Sequence, residues 1–282
     1  MKVKIAKCAG FCMGVNRAFE LAEKLLKEKK KVFALGEIVH NKTVRDYLEQ
    51  KGLVIVKHVN ELKNKKGVLI IRAHGIPDDL RKKIKDSKIE YHDATCPYVT
   101  KIKNIAERLQ REGYYILIFG DKNHAELKTI KCNLKNCRIC ETVDEFKSLP
   151  PMMNKKIALI TQTTQSIENF KMAINILVDK IYELRIFNTI CDATRTRQES
   201  AVELAGQVDL MIVMGSEHSA NTNRLYQMCK TINPNVVRID NINELDKKWL
   251  KNKKIIGITA GASTPQSVID EASQYIKKYK SF

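Results

Sequence analysis

No stretch of this chain is both long enough and free enough of charge to span a bilayer as a helix, which excludes a helical membrane protein. The apolar run after Lys2, Lys4 and Lys7 is too short and too broken by glycine for a secretory signal, so a cytoplasmic location is expected. Proline and glycine are modest at 6 and 12 residues, while aliphatic residues are plentiful, as in a folded globular chain. Acidic residues are in short supply: 32 Asp and Glu stand against 50 Lys and Arg, a net charge of +18. Aromatics are scarce at 6% and are not interleaved with the lysine runs at 27–31, 63–66 and 251–254. That pattern argues against nucleic acid and for a solvated lysine-rich surface that can steer an acidic partner.

Cysteine is not scarce. Eight in a chain read as cytosolic point to reduced thiols, metal ligands or catalysis rather than a disulfide scaffold. Three of them recur at the mouths of amphipathic helices: Cys12 before a helix near 17–29, Cys96 before one near 99–111, and Cys191 in Cys191-Asp192-Ala193-Thr194. They lie about 84 and 95 residues apart, with about 91 more to the carboxyl end, the signature of a threefold internal repeat. The expected domains are 13–95, 96–190 and 191–282, the last completed by residues 1–12.

Buried-strand patterns fall at 31–35, 67–72, 114–119, 156–161, 210–214 and 254–259, two per repeat, with helical periodicity at 104–111, 168–181, 199–205 and 265–279. The alternation predicts an α/β protein of three similar parallel-sheet domains. In such sheets ligands gather at the carboxyl ends of strands. The six loops there carry hydrogen-bonding side chains, four of them a histidine: 36–41, 73–77, 120–126, 162–166, 215–223 and 260–265. Small and hydroxylated residues opening a helix leave backbone N–H groups free for an anion, so a phosphate or diphosphate is the natural ligand.

One thiolate from each repeat would make a three-cysteine metal centre with an open position. Zinc is one candidate, but pure thiolate ligation leans toward iron and sulfur, and a 4Fe-4S cluster on three cysteines leaves one iron without a protein ligand. A competing trio, Cys132-x4-Cys137-x2-Cys140, has a ferredoxin-like spacing but sits between two expected strands in what reads as a loop. Cys8 and Cys229 read as structural.

Nine segments in order, at 10–15, 36–41, 73–75, 93–97, 124–126, 161–164, 188–191, 219–225 and 259–263, resemble the 4-hydroxy-3-methylbut-2-enyl diphosphate reductase family. The resemblance covers nearly the whole chain. It implies a trefoil of three α/β domains around one 4Fe-4S cluster, with Cys12, Cys96 and Cys191 as ligands and one open iron. It implies reductive dehydroxylation of a diphosphate substrate to isopentenyl and dimethylallyl diphosphate, the last step of the non-mevalonate isoprenoid pathway. By the same resemblance, His40, His74, His124, Thr163, Ser219, Asn221 and Ser263 bind substrate. Glu126, acting through Thr163 with His124 nearby, delivers the proton that lets the hydroxyl leave. Reduced ferredoxin or flavodoxin is the implied electron donor. Met13, Ala125 and Ala220 depart from the family pattern. The alternatives are another three-cysteine enzyme such as a quinolinate synthase, or a basic metal-binding nucleic-acid protein.

Overall fold

The computed structural model describes residues 1–28, 30–39, 41–217 and 219–279. All six buried runs are strands; numbered in chain order they are Val32–Leu35 (β2), Val68–Ile71 (β4), Tyr115–Phe119 (β6), Lys156–Thr161 (β8), Leu210–Met214 (β10) and Ile255–Ala260 (β12). Six more strands flank them: Lys2–Ile5 (β1), Val54–Val56 (β3), Glu90–Asp93 (β5), Cys137–Cys140 (β7), Glu183–Ile186 (β9) and Val236–Ile239 (β11). The expected two strands per repeat are therefore four. The flanking strands are short and mostly part-exposed; β5 is Glu-Tyr-His-Asp, and only β3, Val-Ile-Val, is wholly apolar. Pairing with a buried neighbour makes them strands, because β structure follows context more than intrinsic preference.

Three parallel four-stranded sheets result, in the orders β3-β2-β4-β5, β7-β6-β8-β9 and β11-β10-β12-β1. The third takes its last strand from the start of the chain, β1 pairing with β12 from Lys2↔Ile255 to Ile5↔Ile258. Each sheet thus has the same layout, its first and third strands adjacent at the centre and its second and fourth at the edges. The fold is α/β. The helices between strands are Met13–Lys27 (α1), Lys42–Gln50 (α2), Asp78–Asp86 (α3), Pro97–Arg111 (α4), Ala125–Lys131 (α5), Val143–Lys147 (α6), Ile167–Val178 (α7), Asp192–Ala205 (α8), Ala220–Ile232 (α9) and Gln266–Lys278 (α10).

The chain falls into two compact units, the first Met1–Glu23, Glu37–Leu53 and Asp192–Phe282, the second Lys24–Gly36 and Val54–Cys191. In the first, the β10-β12 sheet is covered on one face by Val268, Ile269, Ala272 and Ile276 of α10 and on the other by Ala201, Leu204 and Leu225 of α8 and α9. In the second, Ile102, Ala106 and Leu109 of α4 pack on one face of the β6-β8 sheet, and Phe146, Phe170 and Leu177 on the other. Phe119 and Phe146 meet edge to face at 4.9 Å. Each such fully buried side chain stabilises the unit by roughly 1.5–3 kcal/mol, which holds the strand ends, and the loops leaving them, in place.

Candidate functional site

Where adjacent central strands send their chains to opposite sides of a sheet, their carboxyl ends open a crevice. The layout puts one crevice at the ends of β2 and β4, a second at β6 and β8, and a third at β10 and β12. The six polar loops are the ones that leave these strands. Each crevice is built alike. The glycine ending the first strand donates its N–H to the edge strand beside it at 2.9 Å: Gly36 to Val56, Gly120 to Cys140, Gly215 to Ile239. Gly215 lies at φ 131, and a Cβ there would stand 2.8 Å from Thr222 Oγ1 and 2.9 Å from Thr264 Oγ1, so glycine is required. Four or five residues on, a polar side chain caps the next helix: Asn41 Oδ1 accepts from Val44 N–H at 3.0 Å, His124 Nδ1 from Glu126 N–H at 3.2 Å, and Ser219 Oγ from Thr222 N–H at 3.3 Å.

The three repeat cysteines follow the fourth strand of each sheet, and each stands directly before a helix: Cys12 before α1, Cys96 as the N-cap of α4, Cys191 before α8. Their backbone N–H groups make the same bond, to the carbonyl of the second residue beyond the third strand. Cys12 donates to Ala262 at 3.3 Å, Cys96 to Ala73 at 2.8 Å and Cys191 to Thr163 at 3.1 Å. This equivalence is the repeat in atomic form. All three are half-buried and none is disulfide-bonded. Helix N-termini favour thiolates and other anions, so three cysteines placed there are suited to the all-sulfur ligation that an iron–sulfur cluster uses. Among the described residues no three His, Cys, Asp or Glu stand grouped as a metal site; Cys12 belongs to the first unit, Cys96 and Cys191 to the second.

The competing trio is ruled out. Residues 137–140 form a strand rather than the expected loop, and residues three apart on a strand point to opposite faces. Cys137 packs with Ile116 and Ile118, whereas Cys140 lies with Leu117 and Phe119 on the other side. Cys132 caps the end of α5. Burial pushes the Cys140 thiol up to about 11 and raises Cys137 as well, so neither offers a thiolate near neutrality.

In the second unit the expected residues come together around Glu126. Its side chain is buried, yet it is no core accident: Oε1 accepts from Thr163 N–H and Oε2 from Thr163 Oγ–H, both at 2.7 Å. Desolvation raises its pKa from 4.5 to about 7, against the opposing pull of the two Thr163 bonds. Because Thr163 also accepts from Cys191, one hydrogen-bonded chain links a repeat cysteine, Thr163, Glu126 and His124. His124, with Nδ1 accepting, carries its proton on Nε2 as a neutral ring and can donate there. His74 meets it edge to face at 5.0 Å, beside the carbonyl of Ala73 that holds Cys96.

In the first unit, Cys12 is bonded next to Ser263, which is half-buried. A Cβ on Gly261 would lie 2.1 Å from Thr222 Oγ1, so this loop lies hard against the start of α9, which carries Ser219 and Asn221. Asn221 is 4% exposed, and neither its Nδ2 nor its Oδ1 has a hydrogen-bond partner among the described residues. A buried amide left unsatisfied costs about 1–3 kcal/mol, so it marks a place where a polar ligand belongs. His40 lies outside the described residues.

Two positioning residues went unread in the sequence. Asp93 accepts from both N–H and Oγ–H of Thr95 and pairs with Arg81, fixing the turn into Cys96. Burial opposes its ionisation, but the Thr95 and Arg81 bonds hold its carboxyl below the ordinary range. Arg197, 4% exposed on α8, donates Nη2 to Gly10 O at 2.7 Å and Nη1 to Ala193 O at 3.0 Å. No apolar residue stands from Thr194 to Gln198 to mark the segment as buried in the sequence.

Among known proteins, a 4-hydroxy-3-methylbut-2-enyl diphosphate reductase from Nitratiruptor sp. is 39% identical over 279 residues, spanning 99% of both chains. The enzyme of the same name from Campylobacter hominis is 42% identical over 278 residues, 98% of each. The solved structure of the E-1-hydroxy-2-methyl-but-2-enyl-4-diphosphate reductase from Plasmodium falciparum superposes with a TM-score of 0.91 at 31% identity, over 97% of this chain and 87% of that one. A second, of an (E)-4-hydroxy-3-methyl-but-2-enyl diphosphate reductase described as the terminal enzyme of the non-mevalonate pathway, gives 0.70 at 37% identity over 99% and 100%. Residues 3–277 match the family described as LytB protein. The three-sheet fold is thus shared with a solved reductase, and this chain belongs to the LytB proteins.

Proposed function

We infer that the chain is an iron–sulfur reductase that removes the C4 hydroxyl of (E)-4-hydroxy-3-methylbut-2-enyl diphosphate, giving isopentenyl and dimethylallyl diphosphate, the last step of the non-mevalonate pathway. The observation that carries the reading is Glu126: a buried carboxyl with pKa about 7, both oxygens held by Thr163, in a crevice of a chain whose relatives bear this activity. The balance is two electrons and two protons in, one C–O bond broken, one C–H bond formed and water released. Hydroxide leaves poorly, and a carboxyl still protonated near neutrality is the acid that lets it leave as water. Thr163, whose hydroxyl can both donate and accept, passes that proton.

We assign a 4Fe-4S cluster to Cys12, Cys96 and Cys191, with one iron open. When bound, the cluster supplies electrons and a Lewis-acidic iron. The diphosphate is assigned to His40, His74, His124, Ser219, Asn221 and Ser263. Neutral donors of this kind satisfy several anionic oxygens without filling the cavity with lysine stems. Reduced ferredoxin or flavodoxin is the proposed donor, the cytoplasm the proposed compartment, and 13–95, 96–190 and 191–282 with 1–12 the proposed domains. Among the described residues no helix is long and apolar enough to cross a membrane.

The test is anaerobic turnover of the synthetic substrate by reconstituted protein with product analysis. Both isoprenyl diphosphates should form from wild type, while Glu126→Gln binds substrate without turnover. Rapid turnover by Glu126→Gln would refute the proton-donor role.

A further inference from the structure

The proposed reaction draws two electrons from outside the substrate, and the second unit carries a basic groove beside a repeat cysteine. A groove of about 740 Å³ begins at Thr95 and Pro97, the residues on either side of Cys96, and runs along α4. Lys101, Asn104, Arg108 and Arg111 recur at helical spacing on its wall, and all four are exposed. The opposite side of the helix, Val99, Ile102, Ala106 and Leu109, is buried in the core, which fixes the cationic face outward.

The groove carries three cations and no carboxylate among its lining residues. Arg108 leans toward Glu112 at 3.7 Å, but Lys101 and Arg111 have no ion pair among the described residues. Lys103, on the other flank of the helix, is by contrast taken up by Asp78 and Glu107. The positive end of the α4 dipole lies at Pro97, adding to the attraction at the end that reaches Cys96. Another basic groove of this unit, bordered by Arg138 and Lys155, opens at the start of β8, the end of its sheet remote from the cysteines.

We propose that the α4 groove is the docking surface for a small acidic electron-transfer protein, which delivers its electrons at the Cys96 end. The proposal rests on the reductase reading and on Cys96 as a cluster ligand. The carrier's iron–sulfur or flavin group is oxidised by one electron at a time. Two such deliveries, with two protons, balance the C–O cleavage, the new C–H bond and the water released. Complementary charge at such a rim acts mainly on encounter rate and is screened by salt.

The test compares wild-type holoenzyme, Lys101→Glu/Arg111→Glu, and Arg138→Glu/Lys155→Glu at the remote groove, all anaerobic. Turnover is driven by reduced flavodoxin or by methyl viologen, and affinity for oxidised flavodoxin is measured directly by calorimetry. The α4 double variant should lose about tenfold or more in both flavodoxin affinity and flavodoxin-driven kcat/KM at low salt, as expected for two reversed rim charges. Its salt dependence should flatten, while methyl viologen turnover and the remote-groove variant stay at wild-type values. Wild-type flavodoxin affinity and rate in the α4 variant would overturn the proposal, as would a loss confined to binding of a single-stranded oligonucleotide. Absence of methyl viologen turnover in wild type would instead refute the reductase reading.

Discussion

Replacing Glu126 by Gln should abolish turnover and yet make the protein more stable at neutral and alkaline pH. Well below pH 4.5 the carboxyl is protonated in both folded and unfolded chains, and burial carries no ionic penalty. Between 4.5 and about 7 the unfolded chain ionises while the folded one keeps its proton, so stability is lost as pH rises, and above about 7 the loss is complete. A rise from 4.5 to about 7, at about 1.4 kcal/mol per pH unit, amounts to roughly 3 kcal/mol. Gln carries no such penalty, and its carbonyl can accept from Thr163 N–H while its amide donates to the Thr163 hydroxyl. Because the rise to about 7 already includes the opposing Thr163 bonds, the variant should gain about 3 kcal/mol at pH 8 and almost nothing at pH 3, where the carboxyl is neutral in both states. Anaerobic denaturant unfolding of both holoproteins across that range measures the difference. In parallel, wild-type kcat/KM should fall as pH rises through about 7, where the free enzyme loses the Glu126 proton. A variant less stable than wild type at pH 8, or a rate unchanged from pH 6 to 8.5, would refute the argument.

Asn221→Ala should be neutral or stabilising in the ligand-free protein, since both of its buried amide atoms lack partners there, while substrate affinity falls about tenfold or more; calorimetry and unfolding read the two effects. Cys137→Ala and Cys140→Ala should retain full iron content, because those thiols face opposite sides of a sheet, and Cys140 should resist alkylation at pH 8 with a thiol near 11. Arg197→Met should destabilise the fold by about 2 kcal/mol in urea unfolding, because it leaves the Gly10 carbonyl without its buried donor.

How far the sequence speaks can be judged element by element. The six central strands announce themselves because they are buried on both faces, as all five residues of Leu210–Met214 are. The edge strands do not: Cys-Arg-Ile-Cys of β7 was readable as a loop with metal spacing until its pairing with β6 alternated the two cysteines. Two helix starts fall earlier than apolar periodicity indicates. The α8 helix begins at Asp192 rather than 199 because its first two turns are polar, and α4 begins at Pro97 because proline suits a first helical position. Glu126, Thr163, His124 and His74 were legible as loop residues at strand ends, and the structure unites them in one unit. The bond each repeat cysteine makes to the loop beside it was not legible, since backbone hydrogen bonds leave no mark in residue type. Nor was Arg197, whose partners are backbone carbonyls.

The most direct test of the account is Mössbauer spectroscopy of anaerobic, iron-57-enriched protein, with and without the hydroxylated diphosphate, for wild type and for Cys12→Ser, Cys96→Ser and Cys191→Ser. The account predicts a 4Fe-4S spectrum with one distinct iron that shifts when substrate is added, and disruption of that cluster in each variant. A cluster that survives all three substitutions, or four equivalent irons indifferent to substrate, would contradict it.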